Sequence, residues 1–435
     1  FSYAVGPGQL NLGFQTDINT DTGRPDSRAR RVVTSYPEER SRRVTMDYDL
    51  KPSLGFTRLG FQAFLGRYQL MTSRTMQSAP GVSKSKATSD VSAGDFSFRS
   101  FAVRPLFTGR FEIGVDVNGR YGLRSSNLFL EFNDEENVVK RLEDVSIADA
   151  SRSDVGVYSN SQWKLNRALT LGLGGRFDRI TTRNEGGLFG EYATNNSALS
   201  GYGSVSVEML RGLSLTGQLS RSFRDPMLSD RYYYGISGRG IVMGNPDLSP
   251  ERANQFDTAL RFTYARIRGA IYGYIYRLSN LIERFEIKPD EFYFRNQGVG
   301  DIRGLELELQ TTLGIDFRVD FTTQISRGVT VGSAQYLDDI PTRDFKIVVR
   351  RELSERGYAI LRFANFGMDA KPGPTEIVVP GYTTLDMGAG WKMSEKIELR
   401  GTIRNLLDQA YLITPDRRAV FAPGISGVFT VVAEF

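Results

Sequence analysis

The sequence holds no cysteine and no histidine in 435 residues. Without cysteine there is neither a disulfide framework nor thiol chemistry. Without histidine, Ser–His and Cys–His catalysis, histidine metal ligation and histidine haem ligation all fall away. No run approaches the roughly 18 apolar residues that a membrane helix needs. Tryptophan is scarce, with 2 residues against 28 Phe and 20 Tyr. Charge of one sign is also missing: 55 basic and 50 acidic residues leave +5, too mild and dispersed for a nucleic-acid surface. The opening, Phe1 to Leu10, has no basic segment followed by an apolar core. No signal peptide is read there, and the chain is expected to be mature, trimmed or incomplete.

What is present is alternation. In Gly427 to Phe435, Phe429, Val431, Ala433 and Phe435 fall on one side, and Thr430, Val432 and Glu434 on the other. The same period of two marks Phe111 to Tyr121, Leu169 to Arg176, Leu213 to Ser220 and Gln255 to Tyr264. It continues in Leu305 to Gln310, Val319 to Ile325, Phe345 to Arg350, Thr383 to Trp391 and Ile397 to Asn405. One side is apolar and the other carries charge: Leu305, Leu307 and Leu309 alternate with Glu306, Glu308 and Gln310. Such strands separate two media. Charge facing lipid at the bilayer midplane costs about 2–4 kcal/mol, so the charged rows must line an aqueous or protein-filled lumen.

The connections alternate too. Short ones are Pro52 to Gly55, Phe107 to Gly109, Asn166 to Ala168, Leu210 to Gly212, Gly314 to Asp316, Ser354 to Arg356 and Met393 to Lys396. Long polar ones are Ile18 to Arg42, Ser73 to Gly94, Arg124 to Asp154, Asn184 to Ser197 and Asp225 to Ala253. Ile287 to Ile302, Gly332 to Arg343, Gly367 to Pro380 and Leu412 to Ile425 complete the series. This rhythm predicts an all-β fold: one transmembrane antiparallel β-barrel over residues 1–435, with about eighteen strands visible, or 22 if upstream strands are missing. Short turns would be periplasmic, both termini periplasmic, and the strand number even. A large soluble β-protein would not keep one face charged and the other apolar, strand after strand.

Four stretches resemble the barrel of a TonB-dependent outer-membrane receptor. They are Phe223-Arg224-Asp225-Pro226; Gly244 to Glu251, similar to NPxLxPE; Asn296-Gln297-Gly298 through Ile302-Arg303-Gly304-Leu305-Glu306; and Asn405 to Tyr411, similar to NLLDxxY. They cover about the last half of the chain, while the first half matches in rhythm alone. The resemblance implies a bacterial outer-membrane location and import of a scarce ligand, such as a ferric siderophore or other metal chelate. Receptors of this family carry a plug inside the barrel and engage an energy-coupling inner-membrane complex. This sequence begins almost at once with a barrel-like strand, Gln9 to Asp17, and leaves no room for a plug. A plugless porin-like channel, or a structural barrel scaffolding an outer-membrane assembly, therefore remain alternatives. Without a plug the lumen would be an open, charged pore, or would be filled by a plug or partner protein from another chain.

The motif residues read first as structural. Pro246 fixes a turn whose backbone Asp247 can cap, with Asn245 and Leu248 beside it, and Glu251 begins the next strand. Asn405 and Asp408 are expected to satisfy backbone groups where a strand leaves the sheet. Phe435 is the terminal aromatic. Gly298, Gly300 and Gly304 read as bulges or close approaches. Ligand contacts are expected in the loop Asp225 to Ala253, from Arg231, Tyr232, Tyr233, Tyr234 and Arg239. Guanidinium forks and rings there suit an anionic, partly aromatic ligand. An aromatic cluster at the interface, with arginines meeting lipopolysaccharide phosphates, fits the same residues equally well. The arginines of Arg24 to Arg43 read as outer-membrane lipid contacts or a solvated face. Asn133 to Glu136 is a solvated loop more readily than a cation site. No catalytic constellation, resident metal or cofactor is expected, and haem is disfavoured by the absence of histidine.

Overall fold

A computed structural model describes residues 2–5, 8–24, 32–50, 55–79, 82–237, 240–289, 291–314, 316–333, 335–416 and 419–433. Strands account for almost all of it. The first ten are β1 (Ser2–Val5), β2 (Gly8–Arg24), β3 (Val32–Leu50), β4 (Arg58–Ala79), β5 (Val82–Leu106), β6 (Gly109–Phe132), β7 (Val138–Lys164), β8 (Leu169–Glu185), β9 (Glu191–Leu210) and β10 (Leu213–Arg224). A five-residue helix α1 (Leu228–Tyr232) and a hairpin of β11 (Tyr234–Ser237) and β12 (Gly240–Met243) follow. Then come β13 (Glu251–Tyr264), β14 (Ile267–Lys288), β15 (Glu291–Leu313), β16 (Phe317–Thr330), β17 (Asp344–Ser354), β18 (Gly357–Phe366), β19 (Tyr382–Lys392), β20 (Ile397–Arg404) and β21 (Ser426–Ala433).

Each strand except β11 and β12 pairs antiparallel with the next in the chain, β10 passing directly to β13. The wall thus has nineteen strands among the described residues, which corrects the expected even number. The extra strand is the four-residue β1, paired with the start of β2, too short to show alternation in the sequence. With an odd count β1 and β21 run in the same direction, and Ser2 lies opposite Asn11 inside the wall rather than at its short-turn rim. Among the described residues no ladder joins β21 to β1 or β2.

Several connections expected to be long loops are strand instead. β4 and β5 remain paired from Arg58↔Val103 to Ala79↔Val82, and β6 and β7 up to Phe132↔Val138. β2 and β3 stay paired to Arg24↔Thr34, and β14 and β15 to Lys288↔Glu291. The Asn133–Glu136 stretch is the tip between β6 and β7, where the Asn133 side chain accepts the Glu135 and Asn137 amides at 3.1 and 2.8 Å. Above the membrane both strand faces are wet, so alternation disappears while the backbone ladder continues. Four connections stay irregular: 225–250, 331–343, 367–381 and 405–425.

The two faces of the wall differ as the pattern requires. Phe14, Leu65, Leu199, Leu219, Leu305 and Phe429 stand exposed on the outer face, where lipid would cover them. The inner face is bound by charge. Arg99 on β5 faces its register partner Asp116 on β6 at 2.8 Å, and Arg120 meets Asp95 at 2.7 Å. Arg176 on β8 holds Asp178 at 2.7 Å and also reaches Asp116, two strands away. It crosses β7 at Gly156, where a Cβ would lie 2.0 Å from the guanidinium. Glycine there is what lets one arginine tie three strands together.

Candidate functional site

A hollow wall has little interior, and the main cluster of buried apolar side chains forms where the 225–250 connection folds back on the inner wall. Leu228 and Tyr232 of α1 pack there against Ala93, Leu123, Ile147 and Ala150, with Tyr192 and Tyr233 alongside. Wall residues 93, 150 and 182 belong to the lumen-facing rows, so the connection lies inside the rim. Asn127 of β6 donates to the Tyr234 carbonyl at 2.6 Å. On the far side β12 pairs in parallel with the start of β15, Val242 opposite Phe292. The connection is therefore a strap that touches β4, β5 and β7 at one end and β15 at the other.

The strap begins where β10 ends. Asp225 is 3% exposed and accepts the Asn196 amide at 2.6 Å, with Arg152 3.5 Å away. Arg152 also donates to the Pro226 carbonyl at 3.1 Å. Arg224 is held by Asp230 at 3.1 Å and by Glu251, joining the strap's start to β13. Asp230 accepts the Met227 amide at 3.1 Å, which fixes the first turn of α1.

The proposed ligand residues are placed unequally. Arg231 is 1% exposed and donates to the Pro246 carbonyl at 2.6 Å. Tyr232 is fully buried, its hydroxyl 3.3 Å from that of Thr182 and its ring 6.2 Å from Tyr192. Tyr233 bonds Ser89 at 3.1 Å and the Ile236 carbonyl, and burial pushes its hydroxyl up to about 12. Arg231 is thus engaged within the strap, while Tyr232 and Tyr233 seat it against the wall. Tyr234 is half-buried, and Arg239 lies outside the described residues.

The two middle motifs meet in space. Asn245 donates to the Phe294 carbonyl at 3.0 Å and accepts the Asp247 amide at 3.0 Å. Ser249 and Asn296 exchange two bonds, at 2.8 and 2.9 Å, and Asn296 also reaches the Asn280 carbonyl at 2.7 Å. Asp247 accepts from Tyr192 at 2.5 Å, Leu248 is buried, and Glu251 accepts the Ile282 amide at 2.6 Å. Gly244 sits so close to α1 that a Cβ would lie 2.6 Å from the Arg231 carbonyl carbon. Gly300 and Gly304 are close approaches to Leu337 and to the Tyr274 ring, whereas Gly298 faces open space.

Three further loops lock together beside the strap. Asp338 accepts the Thr375 amide and hydroxyl at 3.1 and 2.9 Å, and Glu376 accepts the amides of Asp339 and Gly373 at 2.8 and 2.7 Å. Ile377 donates to the Pro415 carbonyl at 2.8 Å. Burial raises both carboxyls above their ordinary range. Asn405 and Asp408 close the last connection. Asn405 bonds Gln409 in both directions, at 3.0 and 3.1 Å, and Asp408 accepts the Ile425 amide at 2.9 Å. Phe435 lies outside the described residues.

Sequence reasoning missed the rings of Phe366, Tyr382 and Tyr411, stacked at 4.5 and 4.1 Å on the lumen side of β18 and β19. Tyr411 was visible only as a motif letter. No local signal brings it to two strands that precede it.

Residues 1–406 match the family described as TonB dependent receptor-like, beta-barrel. Among curated proteins, the chain is 25% identical over 234 residues to the vitamin B12 transporter BtuB of Vibrio vulnificus (strain YJ016), over 51% of this chain. That match spans about a third of the relative's length, 34%. Among solved structures it is similar to the copper transporter OprC, with a TM-score of 0.80 at 13% identity, over 98% of this chain and 76% of that one. The ferric yersiniabactin uptake receptor FyuA from Yersinia pestis gives 0.73 at 14%, over 99% and 68%. At such identities these structures establish the fold alone. The match over residues 1–406 and the inward-lined wall agree: the chain belongs to the TonB-dependent receptor family, as its β-barrel.

Proposed function

We propose that this chain is the wall of an importer that takes a scarce extracellular ligand, a ferric siderophore or another metal chelate, across the outer membrane. One observation carries the reading: a strap anchored at both ends lies inside the rim, above a lumen lined with arginine, carboxylate and tyrosine. Such a surface suits a polar, anionic ligand. The similar structures named as a copper transporter and a ferric yersiniabactin receptor lie in the same class of cargo. The vitamin B12 transporter keeps other scarce ligands in view, and haem is the least supported because the sequence has no histidine.

In this reading Arg231, Tyr232 and Tyr233 hold the strap, while Tyr234 and Arg239 are the residues assigned to the ligand. Residues 1–435 act as a single barrel unit, a plug supplied in addition to it occupies the lumen, and an inner-membrane complex supplies the energy. The C-terminal end is periplasmic, because β21 follows a long connection and runs toward the short turns. The test is uptake of radiolabelled iron, presented as ferric siderophores one at a time, in cells with and without the gene. Loss of uptake for one siderophore class, matched by loss of the energy-coupling complex, is expected. Unchanged uptake with large ohmic conductance from the purified protein would overturn it in favour of a passive channel. A stoichiometric protein partner in the lumen, without an uptake defect, would overturn it in favour of a scaffold.

A further inference from the structure

We propose that the outer face of β13–β16, where the apolar band gives way to charge, binds the phosphorylated headgroup and upper acyl chains of an outer-leaflet lipid. This holds whatever the lumen carries. Phe256 lies opposite Ile275, and Leu305 opposite Ile325, all in the outward rows. Thr258 and Leu305 both come within 3.3 Å of a Cβ built at Gly273, so they share that face. The next outward positions change character at once. Ile275 is opposite Arg303, and Arg303 is opposite Arg327.

The wall is notched at this height. β16 pairs with β17 only from Phe317 to Gln324, so from Ile325 upward its edge carries no further wall strand. A groove of about 590 Å³ opens there, floored by Phe256, Ile275, Leu305 and Ile325. Arg343 borders it, with its side chain against Gly367, and Arg327 and Lys371 flank the Tyr336 ring at 5.9 and 5.7 Å.

Four cations thus stand at the upper edge of an apolar groove. Among the described residues none of Arg303, Arg327, Arg343 and Lys371 has a carboxylate within ion-pair distance. Asp301 accepts from Nε and Nη2 of Arg277, at 2.8 and 2.9 Å, and Asp369 is the acid at the groove's rim. Guanidinium forks at a partly dehydrated boundary match phosphate oxygens. An apolar floor at bilayer level matches acyl chain, which a free anion lacks. The two together select a lipid phosphate over a soluble one.

The probe is a hexa-acylated, bis-phosphorylated glycolipid, titrated into the detergent-purified protein and read by native mass spectrometry. Its dephosphorylated form and inorganic phosphate serve as comparisons. One bound lipid per chain is expected, weakened about ten-fold by removing the phosphates and about ten-fold in the variant R303A/R327A/K371A. The single variant Arg327→Ala gives a smaller loss, and remains informative if the triple variant loses its heat-modifiable gel mobility. Equal binding of the dephosphorylated lipid, undiminished binding in folded variants, or displacement by equimolar inorganic phosphate would each overturn the proposal.

Discussion

Asn405 ends β20 with φ at 51°, a left-handed backbone that costs a non-glycine residue roughly 1 kcal/mol. Its 2% exposed side chain offsets that cost through bonds to Gln409 and the Pro423 carbonyl, while its amide donates to Asp386 at 2.8 Å. Asn405→Ala keeps the strain and loses the bonds, so it should cost roughly 2–4 kcal/mol in urea unfolding from lipid vesicles. Asn405→Gly relieves the backbone and should cost less. A second residue makes the extracellular side sensitive to pH. Burial, with Asp338 nearby, pushes Glu283 up to about 7 from 4.5, in the part of β14 above the apolar band. A carboxyl raised on folding binds its proton more tightly in the folded state. Its contribution is full below about 4.5 and is lost as pH rises through about 7. Amides in 367–381 should exchange faster at pH 8 than at pH 5 after correction for intrinsic rates, and Glu283→Gln should shrink that difference.

At the scale of elements, the strap is held by backbone proximity as much as by side chains. Gly244 donates to the Tyr233 carbonyl at 2.7 Å and leaves no room for a side chain beside α1. Gly244→Val should lift the strap and expose 225–250 to protease while leaving the wall's heat-modifiable mobility intact. Equal protease resistance in the variant would show that the strap is not latched there. The motifs Gly244 to Glu251 and Asn296 to Glu306 were legible as separate signals, and their meeting was not. Asn296 finds Ser249 because β13, β14 and β15 lie side by side, a relation that no local pattern encodes. The paired extensions of β4–β5 and β6–β7 were misread as loops for a similar reason: ladder bonds join backbones and leave no trace in side-chain polarity.

The whole molecule is a partition between media, and substitutions should sort by face rather than by residue type. Leu219 is 66% exposed on the outer face, near the middle of β10, and Gln218 is its lumen-facing neighbour. Leu219→Arg should cost about 2–4 kcal/mol in vesicle unfolding, and Gln218→Arg under about 1 kcal/mol. Equal costs would mean the wall does not separate lipid from water. The same partition explains the ladder of Arg99, Asp116, Arg176 and Asp178. Charges excluded from lipid crowd the inner face, where opposite signs on neighbouring strands stitch the wall.

By itself the sequence determined the period-two strands, the two-faced wall and the family, because alternation and short motifs are local properties of a chain crossing two media. It also placed the short turns on one side, since short and long connections alternate along the chain. Only the tertiary structure decided that four connections are irregular while the rest continue as sheet, and that Arg231 and Tyr232 are buried, the one within the strap and the other against the wall. It alone brought Arg303, Arg327, Arg343 and Lys371 to one groove. Those outcomes depend on which strands become neighbours and where a strap of 26 residues can lie back, from Asp225 to Pro250. Such relations are fixed by the shape of the wall and by the burial it permits.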